Sequence, residues 1–182
     1  GRGQGGWAER YREDRLILNI GRTWRIGPEP AYICIWDSPG KGLERLGEWE
    51  EIFGSGEADD LEKVFDAVGR IDEAGVYEPL REPEPGHGPL YYGEFFELTE
   101  GATRESVVPF FEERRRAHPD LVLNVLGDRI GKLGPEPRGI AFWQLPSYEA
   151  LAPIAVELDQ APEAPIKLVR SGLYADLGRE VL

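Results

Sequence analysis

An internal repeat constrains the fold of this chain more than any other feature of its 182 residues. The turn Gly27-Pro28-Glu29-Pro30 and the apolar segment ending in Trp36 return as Gly134-Pro135-Glu136-Pro137 and a segment ending in Trp143. The two turns lie 107 residues apart, and so do the two tryptophans. Two more matched pairs flank these landmarks in the same order: 16–20 with 121–125, and 75–80 with 172–177. The sequence therefore predicts two similar halves.

Each half, when completed, has the order strand, helix, strand, strand, helix, strand, which is typical of a ferredoxin-like unit. For the second half we predict strands and helices at 90–98, 104–117, 121–125, 140–143, 148–159 and 166–174. The first half gives a helix at 7–14, strands at 16–20 and 31–37, helices at 38–53 and 59–68, and a strand at 70–77. We expect an α+β fold with repeats at 1–80 and 90–182 and a Pro- and Gly-rich linker at 81–89.

A ferredoxin-like unit covers only one face of its sheet with helices, so the second, apolar face must be buried elsewhere. We expect the two sheets to pack face to face as an intramolecular α/β barrel. The first half lacks a counterpart of the strand at 90–98. Three explanations stay open: that strand was removed, it is supplied by a separate N-terminal segment or a second copy, or the first half has lost it.

Composition limits the partners of the chain. Its net charge of −13 repels phosphate backbones and anionic lipid surfaces, so we expect no nucleic-acid partner. No apolar run reaches the roughly 20 residues of a membrane helix, and no signal peptide is evident, so we expect no membrane partner. The single cysteine, Cys34, suits a reducing cytoplasm. Two histidines, one cysteine and no methionine offer few ligands, so we expect no metal and no cofactor.

Several short segments of the second half carry a family resemblance: Leu98-Thr99-Glu100-Gly101, Ile130-Gly131-Lys132-Leu133, Ile140-Ala141-Phe142-Trp143 and Tyr148-Glu149-Ala150-Leu151. In these segments the chain resembles the NIPSNAP-like branch of the dimeric α/β-barrel superfamily. That superfamily includes cofactor-free monooxygenases, cyclases, isomerases and lyases, haem enzymes, and proteins with no assigned reaction. The first strand of NIPSNAP-like proteins carries an arginine where this chain has Glu94, so the role of that arginine is not carried over.

The strand at 90–98 holds the candidate catalytic residues. Alternation places Tyr92 and Glu94 on one face and Glu97 on the other. A carboxylate in an aromatic cavity can act as a general acid or base because desolvation raises its pKa. We therefore predict that Glu94, in preference to Glu97, points into the cavity and moves a proton, and that Tyr92 or His87 assists. The alternative is a glutamate that is exposed or paired with an arginine.

Polar and aromatic residues repeated within apolar strands form the predicted substrate-binding set. They would wall the cavity and orient polar groups of a substrate, or else serve packing and backbone hydrogen bonding. The set consists of Asn19, Asn124, Trp36, Trp143, Asp37 and Gln144. The charged run 112–116 is predicted to be a solvated helix face.

The resemblance implies a cofactor-free lyase, isomerase or cyclase that acts on an apolar or aromatic small-molecule substrate between the sheets. Two alternatives remain. The chain is a non-catalytic binding or scaffold protein, or it is a haem-dependent lyase of the same superfamily, which a single axial histidine would permit.

Overall fold

The computed structural model describes residues 14–23, 26–27, 32–40, 43–45, 47–48, 75–158, 161 and 163–177. These residues form an α+β fold, as the sequence predicts. In chain order the elements are β1 (Arg15–Arg22), β2 (Tyr32–Asp37), β3 (Tyr77–Pro79), β4 (Leu90–Leu98), α1 (Arg104–Ala117), β5 (Val122–Arg129), β6 (Gly139–Leu145), α2 (Leu151–Glu157) and β7 (Ile166–Asp176). A single 3-10 turn, Tyr148–Ala150, leads into α2.

The predicted elements of the second half are confirmed, with small shifts at their ends. Helix α1 ends at Ala117, next to a His118-Pro119 pair that disfavours further helix. In the first half, β3 is limited to three residues beginning at Tyr77. Residues 7–13 of the predicted helix at 7–14, the predicted helix at 59–68 and residues 70–74 of the predicted strand at 70–77 lie outside the described residues. Within 38–53 only residues 44, 45, 47 and 48 are described as helical.

The strands form one continuous sheet rather than two separate ones. All neighbours pair antiparallel, in the order β2-β1-β7-β4-β6-β5-β3. Strand β4 lies in the middle, hydrogen-bonded to β7 on one side and to β6 on the other. Strands β2 and β3 are the two ends of this sheet.

The two faces of the sheet carry different cores. The outer core packs α1 and α2 on the sheet through Val107, Phe111 and Ile154, which meet side chains such as Trp143 and Phe96. The inner core joins side chains from strands along the whole sheet: Ile17, Leu18, Ile20, Tyr91, Phe95, Val125, Ile140, Phe142 and Tyr174, with Ile33, Ile35 and Tyr77 against them. Because β2 and β3 both reach this cluster, the sheet curls around it.

The sequence repeat is matched by repeated contacts. The β1–β2 pair has a register shift between Leu16 and Leu18, and the β5–β6 pair has one between Leu123 and Val125, again 107 residues later. In the first half the Arg22 Nη1 donates to the Gly27 carbonyl at 3.1 Å, and in the second the Arg129 Nη1 donates to the Gly134 carbonyl at 2.9 Å. The two halves therefore share these register shifts and hydrogen bonds as well as similar sequence.

The last strand of the second half and the short β3 also make matching contacts. Leu173 accepts from the Thr23 amide and donates to the Ile26 carbonyl, at 2.9 and 3.1 Å. Val76 likewise accepts from the Ile130 amide at 2.9 Å and donates to the Leu133 carbonyl at 2.8 Å. In consequence β7 pairs with β1 as β3 pairs with β5.

The repeated turn requires glycine for a conformational reason. Gly27 has φ +113° and Gly134 has φ +139°, a region that side chains other than glycine rarely adopt. A Cβ on Gly27 would also lie 2.5 Å from the Gly172 Cα, so this turn approaches β7 closely. This explains why glycine heads both copies of the turn. Among the helices that the structure describes, none is long and apolar enough to cross a membrane.

Candidate functional site

The Glu94 carboxylate lies on the helix side of β4 and is completely buried. Its Oε1 and Oε2 accept hydrogen bonds from Arg114 Nη2 and Nη1 at 2.8 and 2.9 Å. The indole Nε1 of Trp143 donates to the same Oε2 at 2.8 Å. This two-pronged pairing with a guanidinium is the strong geometry for a carboxylate.

Arg114 connects Glu94 to both helices. It projects from α1, is 2% exposed, and donates from Nε to Glu157 of α2 at 2.8 Å. Its guanidinium carbon also lies 5.3 Å from the ring centroids of Phe111 and Trp143. Burial works to lower the pKa of Arg114, but the hydrogen bonds and charges of Glu94 and Glu157 outweigh it, so its pKa is raised.

The placement of Glu94 differs from the expected one. Tyr92 and Trp143 lie with it on the outer, helix-covered face and belong to the outer core, so none of the three faces the inner side of the sheet. The prediction of a solvated face for 112–116 is wrong for Arg114. The spacing of Val107, Phe111 and Arg114 places all three on one helix face, and this spacing was the signal for a buried arginine.

His87 and Gln144 meet at one end of the inner core. The Gln144 Oε1 accepts from the backbone amides of His87 and Gly88 at 2.9 and 3.0 Å, while the His87 side chain is exposed. The Gly88 amide also donates to the Tyr91 hydroxyl at 3.2 Å. Gln144 thus holds the linker across the end of the sheet near Tyr91.

Asn124 fastens the same linker to β5. Its Nδ2 donates to the Glu84 carbonyl at 3.0 Å, and the Glu84 amide donates to the Asn124 carbonyl at 2.9 Å. The sequence places Asn124 and Asn19 at equivalent positions, and this is wrong. Asn124 lies within the register shift of β5, whereas Asn19 pairs regularly with Cys34. The counterpart of Cys34 is Ala141, which pairs with Leu126, so Leu126 and not Asn124 is the counterpart of Asn19.

Asn19 belongs to a polar group on β1 and β2. The Tyr32 hydroxyl donates to Asn19 Oδ1 at 2.5 Å. Desolvation, followed by the charge and hydrogen bond of Cys34, raises the pKa of Tyr32 to about 12. Burial also raises the pKa of Cys34, against hydrogen bonds with Trp36 and Tyr32 that act to lower it.

Asp37 and Trp36 complete the predicted set, each in its own surroundings. Asp37 Oδ2 accepts from Arg15 Nη2 at 2.5 Å and from its Nε at 3.1 Å. Trp36 is 45% exposed, whereas its repeat counterpart Trp143 is completely buried. The predicted residues therefore divide among the outer core, the linker end and the β1–β2 pair, and they do not form one site.

Arg170 is a cation on the inner face that the sequence prediction did not include. It is half-buried on β7, opposite Phe95 of β4, and its guanidinium carbon lies 4.7 Å from the Phe95 ring centroid. Its Nε is buried without a hydrogen-bond partner. In the part of the chain that the structure describes, Arg170 forms no ion pair with a carboxylate. Alternation on β7 places Arg170 on the same face as Tyr174, but it does not say which face is the inner one.

Metal-ligating side chains do not converge within the described ranges. No group of three or more His, Cys, Asp or Glu residues there is arranged to hold a metal ion. His118, at the end of α1, has its Nε2 3.4 Å from Glu157 Oε2, which places it beside the Arg114 network.

Comparisons with known proteins add no family assignment. No protein-family model, curated protein or solved structure matches the chain.

Proposed function

We propose that the chain is a tandem pair of ferredoxin-like units that curl into one barrel, with the NIPSNAP-like resemblance extending to both halves. In residues 90–176 the first strand, β4, lies between the last, β7, and the third, β6, which is the arrangement of a ferredoxin-like unit. The pairings β1–β7 and β3–β5 support the tandem form, because each joins the second strand of one unit to the last strand of the other.

We propose further that this barrel is a non-catalytic binding module for a small apolar carboxylate. The acid–base alternative needs a proton-transferring group that a substrate can reach. Glu94, the preferred group, is buried and engaged by Arg114 and Trp143. A buried carboxylate held by an arginine acts as structural support more readily than as a proton carrier.

The observation that carries this proposal is that Arg170 forms no ion pair with a carboxylate among the described residues and that its Nε has no hydrogen-bond partner. A half-buried guanidinium over an aromatic ring offers a fork of donors for a carboxylate and an adjacent apolar surface. Phe95 supplies that surface, and Phe142 packs edge-on against it with ring centroids 5.8 Å apart. The linker covers the end of the inner face at Tyr91, whose cross-strand partner is Tyr174. Arg170 lies four residues from Tyr174 along β7 and is therefore away from the covered end.

Isothermal titration with 3-phenylpropionate tests this function, with the neutral 3-phenylpropionamide as the matched ligand. We expect the carboxylate to bind. Arg170→Gln should weaken its affinity by roughly 10-fold or more, because a charge-assisted hydrogen bond contributes about 1.5–3 kcal/mol. Lys167→Gln is the control, since Lys167 is an exposed cation on the same strand. Absence of binding, equal binding of the amide, or an equal loss in Lys167→Gln would contradict the proposal.

A further inference from the structure

We infer that the insertion of one residue, Val169, into β7 is a positioning device that aims the Arg170 guanidinium at the carboxylate of the ligand. This inference deepens the proposed function and rests on it. Strands β4 and β7 pair regularly except at one step, where Phe95 lies opposite Arg170 but the next residue, Phe96, lies opposite Leu168. Val169 is therefore one extra residue in β7, which makes this step a β-bulge.

The bulge is not needed to keep the side chains of β4 and β7 on their faces. Phe96 belongs to the outer core and lies opposite Leu168, and Phe95 belongs to the inner core and lies opposite Arg170. Without Val169, Leu168 and Arg170 would be consecutive and would face opposite sides, as in any regular strand. Val169 itself is 53% exposed, so it adds little to either core. Neither alternation nor packing therefore explains the insertion.

The other two register shifts of the sheet belong to the repeat. They insert Ile17 into β1 and Asn124 into β5, at positions 107 residues apart. Because both halves share them, these two insertions are features of the common fold. The arginine beside the third insertion is different, since the repeat places Glu73 at the sequence position of Arg170. The repeat does not account for an arginine at this step of β7.

The surroundings of Arg170 indicate what the bulge does. A β-bulge bends its strand and increases the local twist, and bulges next to active sites re-aim a side chain. The Arg170 guanidinium carbon lies 4.7 Å from the Phe95 ring centroid, and the Arg170 Nε is buried without a hydrogen-bond partner. A donor of this kind and an interrupted strand ladder are each unfavourable for folding, and both occur at the same step. Such local departures are expected where function requires them.

Deletion of Val169 tests the inference, and Val169→Thr is the matched variant that keeps the inserted residue. The deletion restores regular pairing while Arg170 stays opposite Phe95. We expect it to weaken the binding of 3-phenylpropionate by roughly 10-fold or more in isothermal titration, as the loss of one charge-assisted hydrogen bond would do. Val169→Thr should retain the wild-type affinity, because the side chain is exposed and threonine is also β-branched.

A spectroscopic measurement follows Arg170 without any ligand. The Phe95 ring current shifts the proton signal of the Arg170 Nε–H upfield while the guanidinium lies over the ring, and Arg170→Gln identifies this signal by removing it. Deletion of Val169 should return the signal towards the ordinary arginine position. The midpoint of urea unfolding should stay at least as high as in the wild type, because the deletion removes a residue that interrupts the ladder.

The outcomes separate this inference from the proposed function. An unchanged affinity or an unchanged Nε–H signal after the deletion would overturn the inference and leave carboxylate binding standing. A deletion variant that no longer unfolds cooperatively would also overturn it, because the bulge would then be part of the fold itself. Absence of 3-phenylpropionate binding in the wild type would overturn the proposed function and, with it, the role of the bulge in binding.

Discussion

Glu94 illustrates how one residue can suggest catalysis in the sequence and serve packing in the structure. Its carboxylate is bound by Arg114 of α1, and Arg114 in turn reaches Glu157 of α2. These contacts place both helices on β4 with a defined orientation. Exchanging such a network for apolar residues can be neutral or even stabilising, whereas removing one partner leaves a buried charge uncompensated.

The change Glu94→Gln is therefore expected to destabilise the fold by about 3–5 kcal/mol, because Arg114 would remain buried without its counter-charge. Urea unfolding followed by circular dichroism measures the loss. Glu113→Gln is the matched control, since Glu113 is an exposed glutamate on the same helix as Arg114, and it should leave the free energy of unfolding nearly unchanged. A Glu94→Gln protein as stable as the wild type would contradict the structural role and revive the acid–base hypothesis.

Tyr32 gives a prediction about pH. In the native protein its pKa is raised to about 12, above the ordinary tyrosine value of about 10 in the unfolded chain. The neutral phenol is favoured by folding, so its contribution to stability is complete below about pH 10 and is lost as the pH rises towards about 12. The ultraviolet titration of tyrosinate, compared between wild type and Tyr32→Phe, should reveal one group with this late transition. A difference curve centred at the ordinary tyrosine value would disprove it.

At the scale of elements, the sequence predicts β4 and α1 well. Residues 90–98 are a short run of mostly apolar and aromatic residues with one glutamate on each face, and 104–117 repeat their apolar residues at helical spacing. Of the strand predicted at 70–77, residues 70–74 lie outside the described residues; the structure places β3 at Tyr77–Pro79, where it pairs with β5, a contact distant along the chain. It also assigns Glu94 to the wrong face, since alternation separates the two faces of a strand without saying which of them the helices cover.

The pairing of β6 with β4 depends on a glycine opposite an aromatic ring. Gly139 lies opposite Phe96, and a Cβ added there would approach the Phe96 ring to 2.1 Å. We expect Gly139→Ala to lower the free energy of unfolding by about 1–3 kcal/mol, the usual cost of overpacking. Gly47→Ala is the control, because a Cβ at that helical position meets no described atom within 4 Å apart from its chain neighbours and the backbone of its own helix. Equal stability of the two variants in denaturant titrations would show that Phe96 moves aside without cost.

For the molecule as a whole, the halves are joined by more than the linker. They share the β1–β7 and β3–β5 pairings, and the inner core draws Ile17 and Ile20 from one half and Phe142 and Tyr174 from the other. Among these residues the two halves therefore share one inner core. Folding of one half is thus coupled to folding of the other.

The described halves should consequently unfold in a single cooperative transition. Far-ultraviolet circular dichroism and tryptophan fluorescence are expected to give coincident midpoints, the mark of two-state behaviour. Trp36→Phe and Trp143→Phe, which remove one of the four tryptophans of the first half and the single tryptophan of the second, provide the sharper comparison. Within each variant, the fluorescence midpoint should coincide with the circular dichroism midpoint, even if the substitution shifts both. Two separated transitions, one reported by Trp143 and the other by the tryptophans of the first half, would mean that the halves fold independently, and the proposed barrel would then lose its energetic basis.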